Sequence, residues 1–240
     1  MQKITFMAFK GGAGKSTALF LMTSVLNRRG IRVGLVDADE NKSVLKWERH
    51  ARGIGTWDDE NIKVYDGWGE DRFEEAFEEA ERDNPNYLLI DTKGGGSDLN
   101  QTAALNADLI VIPTDLGVGE IDIALETMEY VMNLLNAAEM DIPTAFLLSR
   151  VVTDDSKFTE ANRTAMRIFE DLPAFEGRIP TSAYYKDMAG TGPMNLYADY
   201  LRTHDKMTMR ARAPQTRLWL NKAEPVVDEI LAALPVKELA

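Results

Sequence analysis

Two lysines lie five residues apart in the stretch Lys10-Gly11-Gly12-Ala13-Gly14-Lys15-Ser16-Thr17. Gly11, Gly12 and Gly14 allow backbone N–H groups to converge on phosphate oxygens without a Cβ in the way. An apolar stretch precedes the loop and a helical pattern follows it, so a helix N-terminus would face the same anion. Lys15 is then placed to reach β- and γ-phosphates, and the Ser16 hydroxyl to ligate Mg²⁺. The usual pattern G-x-x-x-x-G-K-[ST] asks for glycine where Phe9 stands and has no place for Lys10. Two further runs end an apolar strand on a carboxylate: "VDAD", closing on Asp39, and "LLID", closing on Asp91. Ligands of α/β sheets bind at such carboxyl ends, although an Asp there can equally serve a turn.

The elements that would position these groups follow from hydrophobic period. Strand patterns cover Ile4–Phe9, Val33–Asp37, Ile62–Tyr65, Tyr87–Asp91, Leu109–Pro113 and Thr144–Leu148, with a short extended piece at Gly177–Pro180. Helical patterns cover Lys15–Arg29, Ser43–Arg52, Glu70–Asp83, Gly117–Ala138, Lys157–Leu172 and Pro214–Leu234, the last with a kink or break at Pro225. The acidic run "FEEAFEEAERD" reads as a solvated face with Phe73, Phe77 and Ala80 turned inward. Apolar strands alternating with helices predict an α/β fold: a doubly wound, mostly parallel sheet with helices on both faces. With 240 residues and no linker or repeat, the expectation is one P-loop domain over 1–240.

The string K-G-G-A-G-K-S resembles the deviant Walker A signature of the ParA/MinD ATPases, and the chain looks closest to plasmid-type ParA and VirC-like proteins. The resemblance implies ATP and Mg²⁺ as ligands, slow hydrolysis, and a homodimer that forms on ATP binding. Lys10 would cross to the nucleotide of the facing subunit, Asp39 would orient the attacking water near the metal, and Asp91 would support Mg²⁺. Thr92-Lys93-Gly94-Gly95-Gly96 resembles the mobile second switch. Lys93 stands there where proline is common, free to touch phosphate or DNA or simply to be solvated. Ser149 stands where the family often has an adenine-reading asparagine; Arg150 and the backbone near Pro180 are the candidate base contacts.

Composition narrows the output. The chain has no cysteine, which excludes disulfides and Cys-ligated clusters, and its two histidines, His50 and His204, are far apart. No apolar run is long enough for a membrane span, and no signal peptide is read, so a cytoplasmic, nucleoid-associated protein is expected. The end, "ILAALPVKELA", lacks the basic amphipathic face of a membrane-binding helix. Net charge is −12, yet Arg202, Lys206, Arg210, Arg212, Arg217 and Lys222 face only Asp205 within 202–222. This segment would bind DNA without sequence preference, a dimer doubling the patch. Otherwise it is a solvated surface, an ion-pair partner of the acidic 70–83 helix, or a protein contact. A partner protein that stimulates hydrolysis or adapts cargo is expected. The alternative function is a metabolic P-loop ligase resembling dethiobiotin synthetase, in which Lys10 would serve a small substrate.

Overall fold

The computed structural model describes residues 1–152 and 154–236. Seven strands form one sheet in the order β3-β2-β4-β1-β5-β6-β7. They are β1 (Gln2–Phe6), β2 (Val33–Ala38), β3 (Ile62–Asp66), β4 (Tyr87–Thr92), β5 (Leu109–Thr114), β6 (Thr144–Val151) and β7 (Ile179–Pro180). Every pairing is parallel. β2, β4 and β5 are buried at nearly every position, which is why they read as unbroken apolar runs.

The helices are α1 (Lys15–Arg28), α2 (Ser43–Ile54), α3 (Glu70–Asp83), α4 (Asp98–Leu105), α5 (Val118–Ala137), α6 (Glu160–Glu170), α7 (Ala183–Thr191), α8 (Met194–Thr203), α9 (Met207–Arg210) and α10 (Ala213–Ala232). One face of the sheet, through Ile4, Phe6, Leu35 and Leu89, packs on α1, α2, α7 and α10. The other face divides in two: Val36, Leu88 and Ile90 meet α3 and α4, and Ile110 and Ile112 meet α5 and α6. α1 is buried almost all round, whereas α3 turns in only Phe73, Ala76 and Ala80, with Phe77 packed at the edge.

Several boundaries differ from the sequence pattern. β1 ends at Phe6, so Met7–Phe9 belong to the phosphate loop. β6 runs on to Val151, and Lys157 lies in a 3-10 turn ahead of α6, whose start is set by a capping box between Thr159 and Asn162. α10 continues through Pro225 without a break. That proline is exposed, so the carbonyl it leaves without an N–H partner, Asn221 O, lies on a helix face open to water. The final residues of the C-terminal reading, 237–240, lie outside the described residues. Among the described residues, no helix is long and apolar enough to cross a membrane.

Candidate nucleotide site at the carboxyl end of the sheet

Parallel register brings the chemistry to one edge. Phe6 pairs with Asp91, and Asp91 with Asp37, so the phosphate loop after β1 sits over two carboxylate-bearing strand ends. Gly12 (φ 83°) and Gly14 (φ 108°) take left-handed backbone. At Gly14 a Cβ would also come within 2.5 Å of Ser149 Oγ. Ser149 is fully buried, and its hydroxyl donates to Ala13 O at 2.8 Å. Ser149 therefore pins the phosphate loop to β6.

Lys15, in the first turn of α1, is buried. Burial lowers its pKa, and the charges of Asp91 and Asp39 work against that shift. Ser16 Oγ donates to Asp91 Oδ2 at 2.6 Å. The other oxygen of Asp91 is buried without a partner. Burial pushes this carboxyl up to about 7; the Ser16 hydrogen bond and the Lys15 charge oppose that rise. A buried carboxylate oxygen with no donor costs free energy unless a proton, water or cation meets it.

The two carboxylates of "VDAD" separate. Asp37 is fully buried and accepts the N–H groups of Val44 and Leu45, each at 2.9 Å, at the start of α2. Burial raises its pKa, and these backbone donors oppose the rise. Asp37 is thus a structural anchor, and its place inside a strand buried at every position is the signal for that role. Asp39 stands at the mouth, its Oδ1 accepting from Asn41 N at 2.8 Å.

Lys10 is exposed and ion-paired with Glu120, in the first turn of α5. Gly94 leans on the phosphate loop, where a Cβ would come 3.2 Å from Gly11 N. Buried Asn100 on α4 holds this segment by donating to Lys93 O at 3.0 Å and Gly95 O at 2.5 Å. The Lys93 ammonium lies 5.2 Å from the centre of the Trp68 ring, so it is stacked, not simply solvated.

Beyond Thr17 opens a cavity of about 210 Å³ lined by Asp115, Arg150, Pro180, Ser182 and Tyr185 among others. Arg150 is the irregular residue between Ser149 and Val151, where the β6–β7 register shifts, and its φ is 57°. A non-glycine residue in that region costs roughly 1–2 kcal/mol. Two contacts hold it there: Thr181 Oγ1 donates to Arg150 O at 2.7 Å, and Arg150 Nη2 donates to Asp115 Oδ2 at 2.8 Å.

The basic segment lies on other elements. Arg202, Arg210 and Arg217 line an open groove of about 590 Å³ with Pro214, Leu218 and Asn221. Arg217 pairs with Asp199 at 2.6 Å and Arg212 with Asp187 at 2.7 Å. Lys222 sits 4.2 Å from the Trp219 ring centre, and Lys206 is exposed. The acids of α3 pair elsewhere, Asp83 with Lys63 and Glu78 with Arg82, so the sequence expectation of an ion-pair contact between the two segments is not what forms. α7 touches both sites: Tyr185 lines the cavity and donates its hydroxyl to Trp219 O at 2.8 Å, while Asp187 holds Arg212.

Among the described residues no cluster of three or more His, Asp or Glu side chains forms a ready metal cage. Mg²⁺ takes one or two protein oxygens and completes its shell with phosphates and water. The unpartnered Asp91 oxygen beside the Ser16 hydroxyl fits such an ion.

Comparison with known proteins places this geometry. The family profile described as "VirC1 protein" matches residues 1–236. Protein virC1 of Rhizobium radiobacter is 39% identical over 187 residues, 78% of each chain. The Cyanothece McdA(D38A)-ATP complex superposes with a TM-score of 0.69 at 15% identity, covering 100% of this chain and 98% of that one. MinD cell division protein of Aquifex aeolicus gives 0.64 at 20% identity, covering 99% and 100%. The sheet and its flanking helices are thus the ParA/MinD P-loop fold.

Proposed function

The chain belongs to the VirC1 family, and from that premise we propose that it is a ParA-type ATPase switch that dimerises on ATP–Mg²⁺ and binds DNA non-specifically. Its task is to segregate or position DNA, in conjugative transfer or partition, in the cytoplasm and on the nucleoid. The observation that carries the site is the Ser16–Asp91 contact with its unpartnered buried oxygen, directly beneath the Lys15 loop.

In this reading the N–H groups of Lys10 to Thr17 cradle the phosphates, and Lys15 neutralises them. Ser16 and Asp91 would hold Mg²⁺, and Asp39, at the mouth, would orient the attacking water. The ion would neutralise charge on the β- and γ-phosphate oxygens. Lys10 leaves Glu120 and reaches the triphosphate of the second subunit, so a cation arrives in trans where charge develops. Arg150 and Pro180 border the base.

The groove of Arg202, Arg210 and Arg217, with Lys206, Arg212 and Lys222 around it, takes DNA phosphates with release of counterions. Pairing two such grooves converts weak contacts into useful avidity, which puts DNA binding under ATP control. A partner protein that stimulates hydrolysis or adapts the cargo resets the switch. DNA retardation at several salt concentrations, with ADP, ATP and a non-hydrolysable analogue, tests this. A shift confined to the triphosphate states, and falling with salt, is expected; a shift indifferent to nucleotide overturns the switch.

A further inference from the structure

The cavity beyond Thr17 has few side-chain groups with a fixed donor or acceptor sense to read a base edge. Thr181 spends its hydroxyl proton on Arg150 O, and its N–H on Val151 O at 3.0 Å. The Ser182 hydroxyl accepts the Tyr184 N–H as the cap of α7; that hydroxyl and the one on Thr17 can each donate or accept, so they suit either purine edge alike. Tyr185 donates away from the cavity, to Trp219 O. Asp115 accepts from Gly117 N at 2.8 Å with one oxygen and from Arg150 with the other. Ser149 is buried under the phosphate loop, and Pro180 has no N–H. Lys186, at the exposed rim, is a flexible point charge without planar donor geometry.

The one planar cation in the lining is the Arg150 guanidinium. Arg150 sits at the β6 irregularity with left-handed backbone, and one hydrogen bond to Asp115 Oδ2 holds an edge of its partly exposed guanidinium. A planar cation so held offers a face on which a purine ring stacks, and stacking is indifferent to which exocyclic groups the ring carries. We propose that Arg150, with Asp115 as its positioning residue, holds the base by stacking, and that the site takes purine nucleoside triphosphates with little discrimination between adenine and guanine. This rests on the nucleotide reading of the loop.

The test is displacement of a fluorescent ATP analogue by ATP, GTP and inorganic tripolyphosphate. A site that hydrogen-bonds its base rejects the wrong one by about 10⁴-fold or more, and one that does not discriminates by about 100-fold or less. GTP is therefore expected within about 100-fold of ATP, and a larger gap overturns the inference. Arg150→Ala should weaken ATP and GTP alike by about tenfold and leave tripolyphosphate unchanged. Asp115→Asn should move the same two ligands in the same direction, with the fold checked by thermal unfolding. Arg150→Lys should fail to restore affinity, since an ammonium offers no plane. Equal loss of tripolyphosphate affinity, or loss for one purine alone, overturns the assignment. If the unaltered chain binds none of the three probes, the nucleotide reading falls and this inference with it. If it binds ATP and tripolyphosphate but excludes GTP, this inference alone falls.

Discussion

Ser16 on the first turn of α1 donates its hydroxyl to Asp91 at the end of β4, 2.6 Å away, and leaves the second Asp91 oxygen buried and unmatched. Burial pushes that carboxyl from 3.8 up to about 7. Between those values the folded chain holds a proton that the unfolded chain has released. Stability without metal or nucleotide therefore falls as pH rises from about 4 to 7. Asp91→Asn removes this dependence. Thermal unfolding of both proteins in chelator should show the unaltered chain losing ground to the variant across that window, and parallel profiles would contradict the assignment. If Mg²⁺ takes this carboxylate, its binding with ATP below pH 7 should release a proton.

Lys10 is exposed and ion-paired with Glu120 of its own chain. Lys10→Ala should bind ATP normally but lose ATP-driven dimers or turnover, whereas Lys15→Ala should lose nucleotide binding itself. Calorimetry of ATP binding beside light scattering separates the two. Normal turnover by Lys10→Ala would remove the role in trans.

Asp39 keeps its carboxylate at the mouth, on Asn41, while Asp37 is committed to the start of α2. Asp39→Ala should therefore fold, bind ATP and accumulate as a dimer that hydrolyses poorly, visible by gel filtration with ATP. Asp37→Ala should instead destabilise the chain by about 1–3 kcal/mol, because two buried N–H groups lose their acceptor.

The division between those two aspartates marks what the sequence makes legible. Glycines, Lys15, Ser16 and strand-ending carboxylates are readable because phosphate chemistry needs those types at fixed local spacing. The strands are readable because burial on both faces leaves an unbroken apolar run. Helices α4, α7, α8 and α9 carry no such pattern: α4 spans only eight residues with Asn100 in its buried set, and the buried sets of α7 and α8, such as Tyr185 with Met188 and Tyr197 with Leu201, are short and separated by Gly192 and Pro193. The role of Ser149 under Ala13 depends on a contact between residues 136 positions apart, which no local pattern encodes. The same holds for Asp199 and Asp187, which offset part of the charge that a count over 202–222 assigns to the basic segment.

That offset shapes the test of the DNA groove. Reversing Arg217 would set a carboxylate against Asp199 and mix repulsion with loss of DNA. Neutral changes are cleaner: Arg202→Gln, Lys206→Gln and Arg210→Gln together should weaken DNA binding uniformly across sequences. They should also lower the slope of log affinity against log salt by about three, if each contacts one phosphate. ATP-driven dimers should persist. An unchanged slope would leave the groove a solvated surface.

The tether between β6 and the phosphate loop can be read by a cycle of substitutions. Ser149→Ala leaves the buried Ala13 carbonyl without its donor, a loss of about 1–3 kcal/mol. Gly14→Ala places a methyl 2.5 Å from Ser149 Oγ and forces alanine to φ 108°, so both terms oppose it. In the double variant the hydroxyl is gone and only the backbone strain and the 3.1 Å approach to the Cβ at position 149 remain, so the combined loss should fall short of the two single losses. Urea unfolding measures all four proteins, and neighbours in contact couple by about 0.5–3 kcal/mol. Additive losses would mean that the hydroxyl and the glycine do not meet, and that the loop is held from elsewhere.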